Sequence, residues 1–161
     1  MDVNSQKGRE AIRRVKEVIS KIEYLGAHPV WFPDHCLTEY DGYFVKDGII
    51  LGLFEAKTRN AAIQDGKILY GGKLYDEYMI TMNKVVSGVN IAKSNKIDAY
   101  IIVNFEINNV VAVFKTFEYA TGEIMSYRSA NTWTQRSING GSANRENAFI
   151  DMSFAHFINL T

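Results

Sequence analysis

Residues 39 to 60, EYDGYFVKDGIILGLFEAKTRN, constrain the fold more than any other stretch. Two apolar and aromatic runs flank Asp47-Gly48, a pair in which both positions tolerate positive φ, so the segment reads as an antiparallel hairpin. The second arm begins IILGLF, almost wholly apolar, and belongs inside a sheet rather than at its edge. Yet the hairpin carries Asp41 early in its first arm and Glu55 and Lys57 late in its second. A two-residue turn pairs Lys46 with Ile49, and that register carried outward sets Asp41 against Phe54, one position from Glu55. A single bulge, or a register one residue different, sets Asp41 directly against Glu55, with Cβ atoms ~4.5–5.5 Å apart. Glu55 and Lys57 are two apart and project from the same sheet face.

Two carboxylates so placed repel unless something positive lies between them. Magnesium does this well, taking one or two carboxylates, several waters and substrate phosphate. It lowers the pKa of a coordinated water and neutralises phosphate charge. A neighbouring lysine can hold or deprotonate the attacking water and stabilise developing negative charge. The alternative is a solvated strand end, where Glu55 and Lys57 form a surface ion pair worth at most ~1 kcal/mol. The apolar run before Glu55 makes the strand internal, and a charged end on an internal strand marks a site more often than a surface.

The rest of the chain supplies elements around the hairpin. From 5 to 25, Ala11, Ile12, Val15, Val18, Ile19, Ile22 and Leu25 recur at intervals of three and four, which predicts an amphipathic helix with Ser5 as N-cap and Gly26 as its stop. AHPVWFPDHCL reads as loop and short strand. Asp65-Gly66 and Gly71-Gly72 predict turns. Residues 74 to 93 predict a second helix with Met79, Met82, Val85, Val86 and Val89 as its apolar stripe. IDAYIIVNFE and VVAVFKTFEY read as a strand pair about Asn108-Asn109, with AYIIVNF covered on both faces. SYRSANTWTQRSINGGSANREN reads as a polar loop, and AFIDMSFAHFINL as a closing strand or short helix. Helix, strands, helix, strands predicts an α/β or α+β sandwich with one sheet between helices.

The 161 residues suit a single domain over 1–161, and 47% apolar against 22% charged residues is an ordinary globular balance. No apolar run approaches the ~20 residues of a membrane span, and the first residues, MDVNSQKGRE, lack a signal-peptide core. The single cysteine, Cys36, fits a reducing compartment such as the cytoplasm, and with three scattered histidines gives no zinc spacing. The zero formal net charge argues against a large phosphate-gripping surface, while basic residues still cluster in KGREAIRRVK and KTRN.

Asp41 followed by Glu55-Ala56-Lys57 resembles the motif of the PD-(D/E)XK nuclease superfamily: an acid on one strand, then (D/E)-x-K on the next antiparallel strand, after a helix. The order of elements over residues 5 to 105 is similar too. The resemblance implies a restriction-endonuclease-like core, a central mixed sheet flanked by helices, and a magnesium-dependent deoxyribonuclease, with manganese as a substitute. It implies Asp41 and Glu55 as metal ligands, the Ala56 carbonyl as a third, and Lys57 as the catalytic lysine. Pro33-Asp34 supplies a literal PD, but Asp34 lies ~23 Å further back along an extended chain. The hairpin pairing favours Asp41.

KGRE resembles the first helix of archaeal Holliday-junction resolvases, where a glutamate approaches the metal; Glu10 is the candidate and Glu17 the substitute. Lys7, Arg9 and Arg13 on that helix, Thr58 and Arg59 after the motif, Lys84 beside Thr81 on the second helix, and Arg136 in the late loop are candidates for gripping phosphate. In each case an ordinary polar surface is the alternative. The exonuclease branch carries glutamine followed four residues later by tyrosine. Here Gln64 precedes Ile68, which departs from that pattern. DNA is the expected partner, a homodimer is plausible for an enzyme that cuts two strands, and small size points to a structure-selective or phage-type enzyme.

Overall fold

The computed structural model describes residues 26–32, 40–133 and 144–160, together with Glu10, Arg13, Lys16, Glu17 and Tyr24. Strand β1 (His28–Trp31) pairs antiparallel with β2 (Gly42–Lys46), which turns back through Asp47 (φ 50) and Gly48 (φ 76) into β3 (Ile49–Arg59). Next to the turn, Lys46 pairs with Ile49 and Val45 with Ile50; the register then shifts, so that Phe44 pairs with Gly52 and Gly42 with Phe54. Leu51 is thus the extra residue of a bulge, and one step beyond Gly42 the shifted register sets Asp41 opposite Glu55. Gly42 is required where it stands. A Cβ there would lie 2.2 Å from the Val30 carbonyl oxygen and 2.7 Å from the Phe54 ring.

After β3 comes a meander of β4 (Ala62–Gln64), β5 (Lys67–Tyr70) and β6 (Lys73–Tyr75), with turns at the two glycine-containing pairs named above. Then follow β7 (Glu77–Thr81) and helix α1 (Met82–Asn95). The expected helix from residue 74 therefore starts late. Residues 77 to 81 alternate in burial, Tyr78 and Ile80 inward and Met79 outward, which is the period of a strand. Thr81 is the N-cap of α1 (φ −56, ψ 129) rather than a helical neighbour of Lys84. Of the expected stripe, Val85 and Val89 are buried, joined by Ala92, while Val86 is exposed.

Strand β8 (Asp98–Phe105) lies parallel to β3 and antiparallel to β9 (Val110–Glu118). Parallel neighbours need a crossover, and the segment from β4 through α1 provides it. Along β9 run β10 (Glu123–Ile124) and, further along, β13 (His156–Asn159). The result is a mixed seven-stranded sheet in the order β1-β2-β3-β8-β9-β10, with β13 also on β9. As expected, β8 is covered on both faces; every residue from Ala99 to Phe105 is buried.

One face, with Leu53, Ile101, Val103, Phe105 and Phe114, packs against α1 and a second sheet. That second sheet is β11 (Arg128–Trp133), β12 (Asn144–Asp151) and β7. The opposite face carries Phe44, Phe54, Tyr100, Ile102, Val111 and Val113 with Ala27, Tyr24 and Trp31. Truncating a side chain as deep as Phe114 costs about 3–5 kcal/mol.

Two expectations are corrected here. The polar stretch read as a loop contributes strands β11 and β12, because Ala148 and Ile150 turn inward beside Ile80 and Tyr78 while Asn147 and Phe149 take the other side. The sheet is also not flanked by helices in the way expected. Among the described residues α1 is the one bounded α-helix, and it shares its face with the second sheet. Glu10, Arg13, Lys16 and Glu17 have helical backbone, and the Lys16 ammonium lies 5.6 Å from the Trp31 ring centroid on the other face. No described helix is long and apolar enough to cross a membrane.

Candidate active site

Asp41 stands where the β2–β3 ladder ends. Its N–H donates to the Phe54 carbonyl at 2.9 Å, and its own carbonyl accepts from the Phe32 N–H at 2.9 Å. Beyond that point the Ala56 N–H would lack an acceptor on this side, and the Asp41 carboxylate supplies it: Oδ2 accepts the Ala56 N–H at 2.7 Å. A charge-assisted bond of this kind fixes the carboxylate against β3.

Glu55 lies on the α1 side of the sheet. Two residues earlier on that side, Leu53 packs against Val89 and Ala92 of α1. Two residues later, Lys57 projects the same way, and its Nζ lies 3.1 Å from Glu55 Oε1. From the first turn of α1, Lys84 Nζ reaches the same oxygen at 3.5 Å. Glu55 is only 6% exposed. Burial pushes its carboxyl above the usual range, the nearby Asp41 carboxylate pushes it further, and the two ammoniums of Lys57 and Lys84 oppose both. A buried acid facing a second acid and held by two amines balances two negative charges with two positive ones, and the cost that remains is the desolvation of Glu55.

No protein-family model matches the sequence, and no curated protein matches it. The chemistry of these residues therefore rests on their geometry. Among the described residues no group of three or more His, Cys, Asp and Glu side chains is gathered to hold a metal ion. The donor set still fits a hard, water-rich cation: two carboxylates, one of them buried and electrostatically strained, with the Ala56 peptide between them. It does not fit a structural zinc site, which is a closed tetrahedral set of cysteines and histidines.

The other expected residues divide. Arg59 continues the same face of β3, its guanidinium 5.4 Å from the centroid of the Tyr78 ring and donating to the Thr58 carbonyl at 3.0 Å. Thr58 alternates to the opposite face, beyond Ala56, and its buried hydroxyl has no partner among the described residues, so it does not present itself to a phosphate. Glu10, Arg13 and Glu17 are helical and exposed. Lys7, Arg9, Arg136 and the alternative acid Asp34 lie outside the described residues.

Tyr78 escaped the sequence reading. It is buried, its hydroxyl has no hydrogen-bond partner among the described residues, and it lies within electrostatic reach of Arg59 and Glu55. Burial pushes its phenol up to about 12, with Arg59 lowering and Glu55 raising it. The available signal was the alternation of Tyr78 and Ile80, masked by the helical spacing of the segment after them.

Proposed function

We propose that the chain is a metal-dependent nuclease hydrolysing DNA phosphodiester bonds, structure-selective rather than sequence-reading, on a restriction-endonuclease-like core. The observation that carries the reading is the bulged register, which faces Asp41 with Glu55 while both Lys57 and Lys84 close on the same Glu55 oxygen. Asp41 and Glu55 would hold Mg²⁺, or Mn²⁺ in its place, with the Ala56 carbonyl available as a further donor. When bound, the cation supplies an acidified water and offsets phosphate charge.

The chain's own residues do the rest. Lys57 donates to the attacking water or the phosphoryl oxygens and stabilises the charge that develops there. Lys84 and Arg59 offer positive charge to the backbone on the same face. In the reaction the water oxygen bonds to phosphorus, one P–O ester bond breaks, and a proton passes from the water to the departing alkoxide. A cytoplasmic, dimeric enzyme acting on branched DNA is the corresponding biological setting.

The test is incubation of pure protein with a panel of branched and linear DNAs, with and without Mg²⁺. Mg²⁺-dependent cleavage, lost in Glu55→Ala with an unchanged circular dichroism spectrum, supports the reading. Undiminished cleavage by pure Glu55→Ala rules the site out.

A second reading is a non-catalytic module that binds nucleic acid or protein on the same fold. The two amines on Glu55 favour it, because they hold a buried acid without any metal. It predicts no metal-linked shift in melting temperature, since a ligand bound only by the native state would raise it.

A further inference from the structure

The two amines on Glu55 are not equivalent in origin. Lys57 sits two residues along the same strand, so its reach to Glu55 follows from the pleat. Lys84 comes from α1, across the layer, and still finds the same Oε1 rather than solvent. One carboxylate oxygen thus receives two ammoniums, while Asp41 commits Oδ2 to the Ala56 N–H. Two positive charges already lie against the carboxylate that a dication would need.

We infer that Lys84 is a built-in placeholder for the cation: it holds the buried Glu55 carboxylate in the metal-free protein and must move off Oε1 as the metal enters. This inference rests on the metal-binding reading above. The physical ground is competition between like charges for one anion. An ammonium within contact of a ligand oxygen repels an incoming dication through a short, partly buried path, where screening is weak. Lys84 is suited to leave. Its stem is long, its side chain is 39% exposed, and it sits in the first turn of α1 with no other ion pair among the described residues. Displaced, it carries its charge towards the mouth of the site, where phosphate arrives. Metal entry and substrate capture are then linked through one side chain. Lys84 is in this sense a positioning residue, acting through Glu55.

The experiment measures Mn²⁺ binding directly, without DNA, by electron paramagnetic resonance or calorimetry in neutral buffer. The variants are Lys84→Met, Lys84→Arg and Glu55→Gln, each checked for an unchanged circular dichroism spectrum. The expectation is that Lys84→Met binds Mn²⁺ about tenfold more tightly than the wild type, because a competing charge is gone. Lys84→Arg, which keeps the charge, returns affinity towards the wild-type value. Glu55→Gln loses binding. Equal or weaker affinity in Lys84→Met, with Glu55→Gln inactive in binding, overturns the placeholder role and leaves the metal site standing. Wild-type affinity in Glu55→Gln overturns the metal site and the inference together.

Discussion

Among the described residues, two clusters of paired acids and lysine behave in opposite ways. One is Asp41, Glu55, Lys57 and Lys84. The other is Asp98, Glu118 and Lys115, on β8 and β9, where Lys115 Nζ lies 3.1 Å from Glu118 and 3.9 Å from Asp98. In the second cluster every acid oxygen has company. Asp98 accepts from the Tyr119 N–H at 2.8 Å and the Tyr100 hydroxyl at 3.3 Å, and Glu118 accepts from Thr121 at 2.9 Å. Thr121 and then Lys115 hold the Glu118 carboxyl below its usual range. Its side chain keeps 35% of its surface, against 8% for Glu55. The same residue types make a satisfied, solvated surface network in one place and a strained, buried one in the other. Burial, not composition, separates a candidate site from a decorative ion pair.

The sharpest way to break this comparison is catalytic. Lys57→Met is expected to lower Mg²⁺-dependent cleavage by roughly a hundredfold or more, the scale of losing a group that stabilises transition-state charge. Lys115→Met, the same change in the solvated cluster, leaves the rate within about twofold. Equal losses in both, measured as single-turnover rates on one DNA, would remove the distinction.

Packing differs as well. Beside Asp41, Gly42 lets β1 and the Phe54 ring close in, and a methyl group there meets the Val30 carbonyl oxygen at 2.2 Å. Backbone cannot yield as a flexible side chain would. Gly42→Ala is therefore expected to cost about 1–3 kcal/mol, and to lower cleavage beyond the loss of folded protein by displacing Asp41. Thermal melts and rates per folded molecule check both halves.

Titration gives opposite signs at the two clusters. Glu55 has a folded-state pKa above its unfolded value, so the native state binds the extra proton between them. Its contribution to stability is present below the unfolded value and falls away as pH rises through the raised one. Glu118 is the reverse: its contribution is present above the unfolded value and lost as pH falls through the depressed one. Glu55→Gln is thus expected to raise the metal-free melting temperature at neutral pH. Glu118→Gln should lower it slightly. Melting curves for both variants between about pH 4 and about pH 8 should diverge from the wild type in opposite directions.

How much of this was legible before the structure depends on which physical signal each residue carried. Asp47-Gly48 announced the hairpin, because positive φ at both turn positions is rare elsewhere, and the apolar runs announced that β3 and β8 are internal. The need for one extra residue between turn and acid was readable; that Leu51 supplies it was not, since nothing in IILGLF marks one apolar residue as unpaired. Residues 77 to 81 misled because Met79 falls at helical spacing from Met82, and a short strand running directly into a helix blends the two periods. Strands β11 and β12 were hidden because the two sides of β12 differ little in polarity: inward Ala148 is small, while the other side carries both Asn147 and Phe149, leaving too little contrast for a period of two. Of the site, Asp41, Glu55 and Lys57 were legible as local sequence. Lys84 as a partner of Glu55, and Tyr78, required the crossover that lays α1 and β7 over β3.

Tyr78 is the smallest and most discriminating case. Its ring is stacked with Phe114 at 6.0 Å and set edge-on to Phe105 at 6.4 Å, so the aromatic body is held by the core. Its hydroxyl has no hydrogen-bond partner among the described residues, and no counterpart exists in the solvated cluster, where Tyr100 donates to Asp98. A buried hydroxyl that bonds nothing gives up its hydration without return. Tyr78→Phe should therefore leave the melting temperature unchanged or raise it by a degree or two, while Tyr100→Phe, which loses a bond to Asp98, should lower it. Cleavage separates the two explanations for keeping the hydroxyl. Unchanged rates mean that it is an incidental atom on a core ring. A loss of roughly tenfold with undiminished stability means that the hydroxyl meets its partner only when metal or phosphate is bound beside Glu55 and Arg59, and that β7 belongs to the site as much as β3 does.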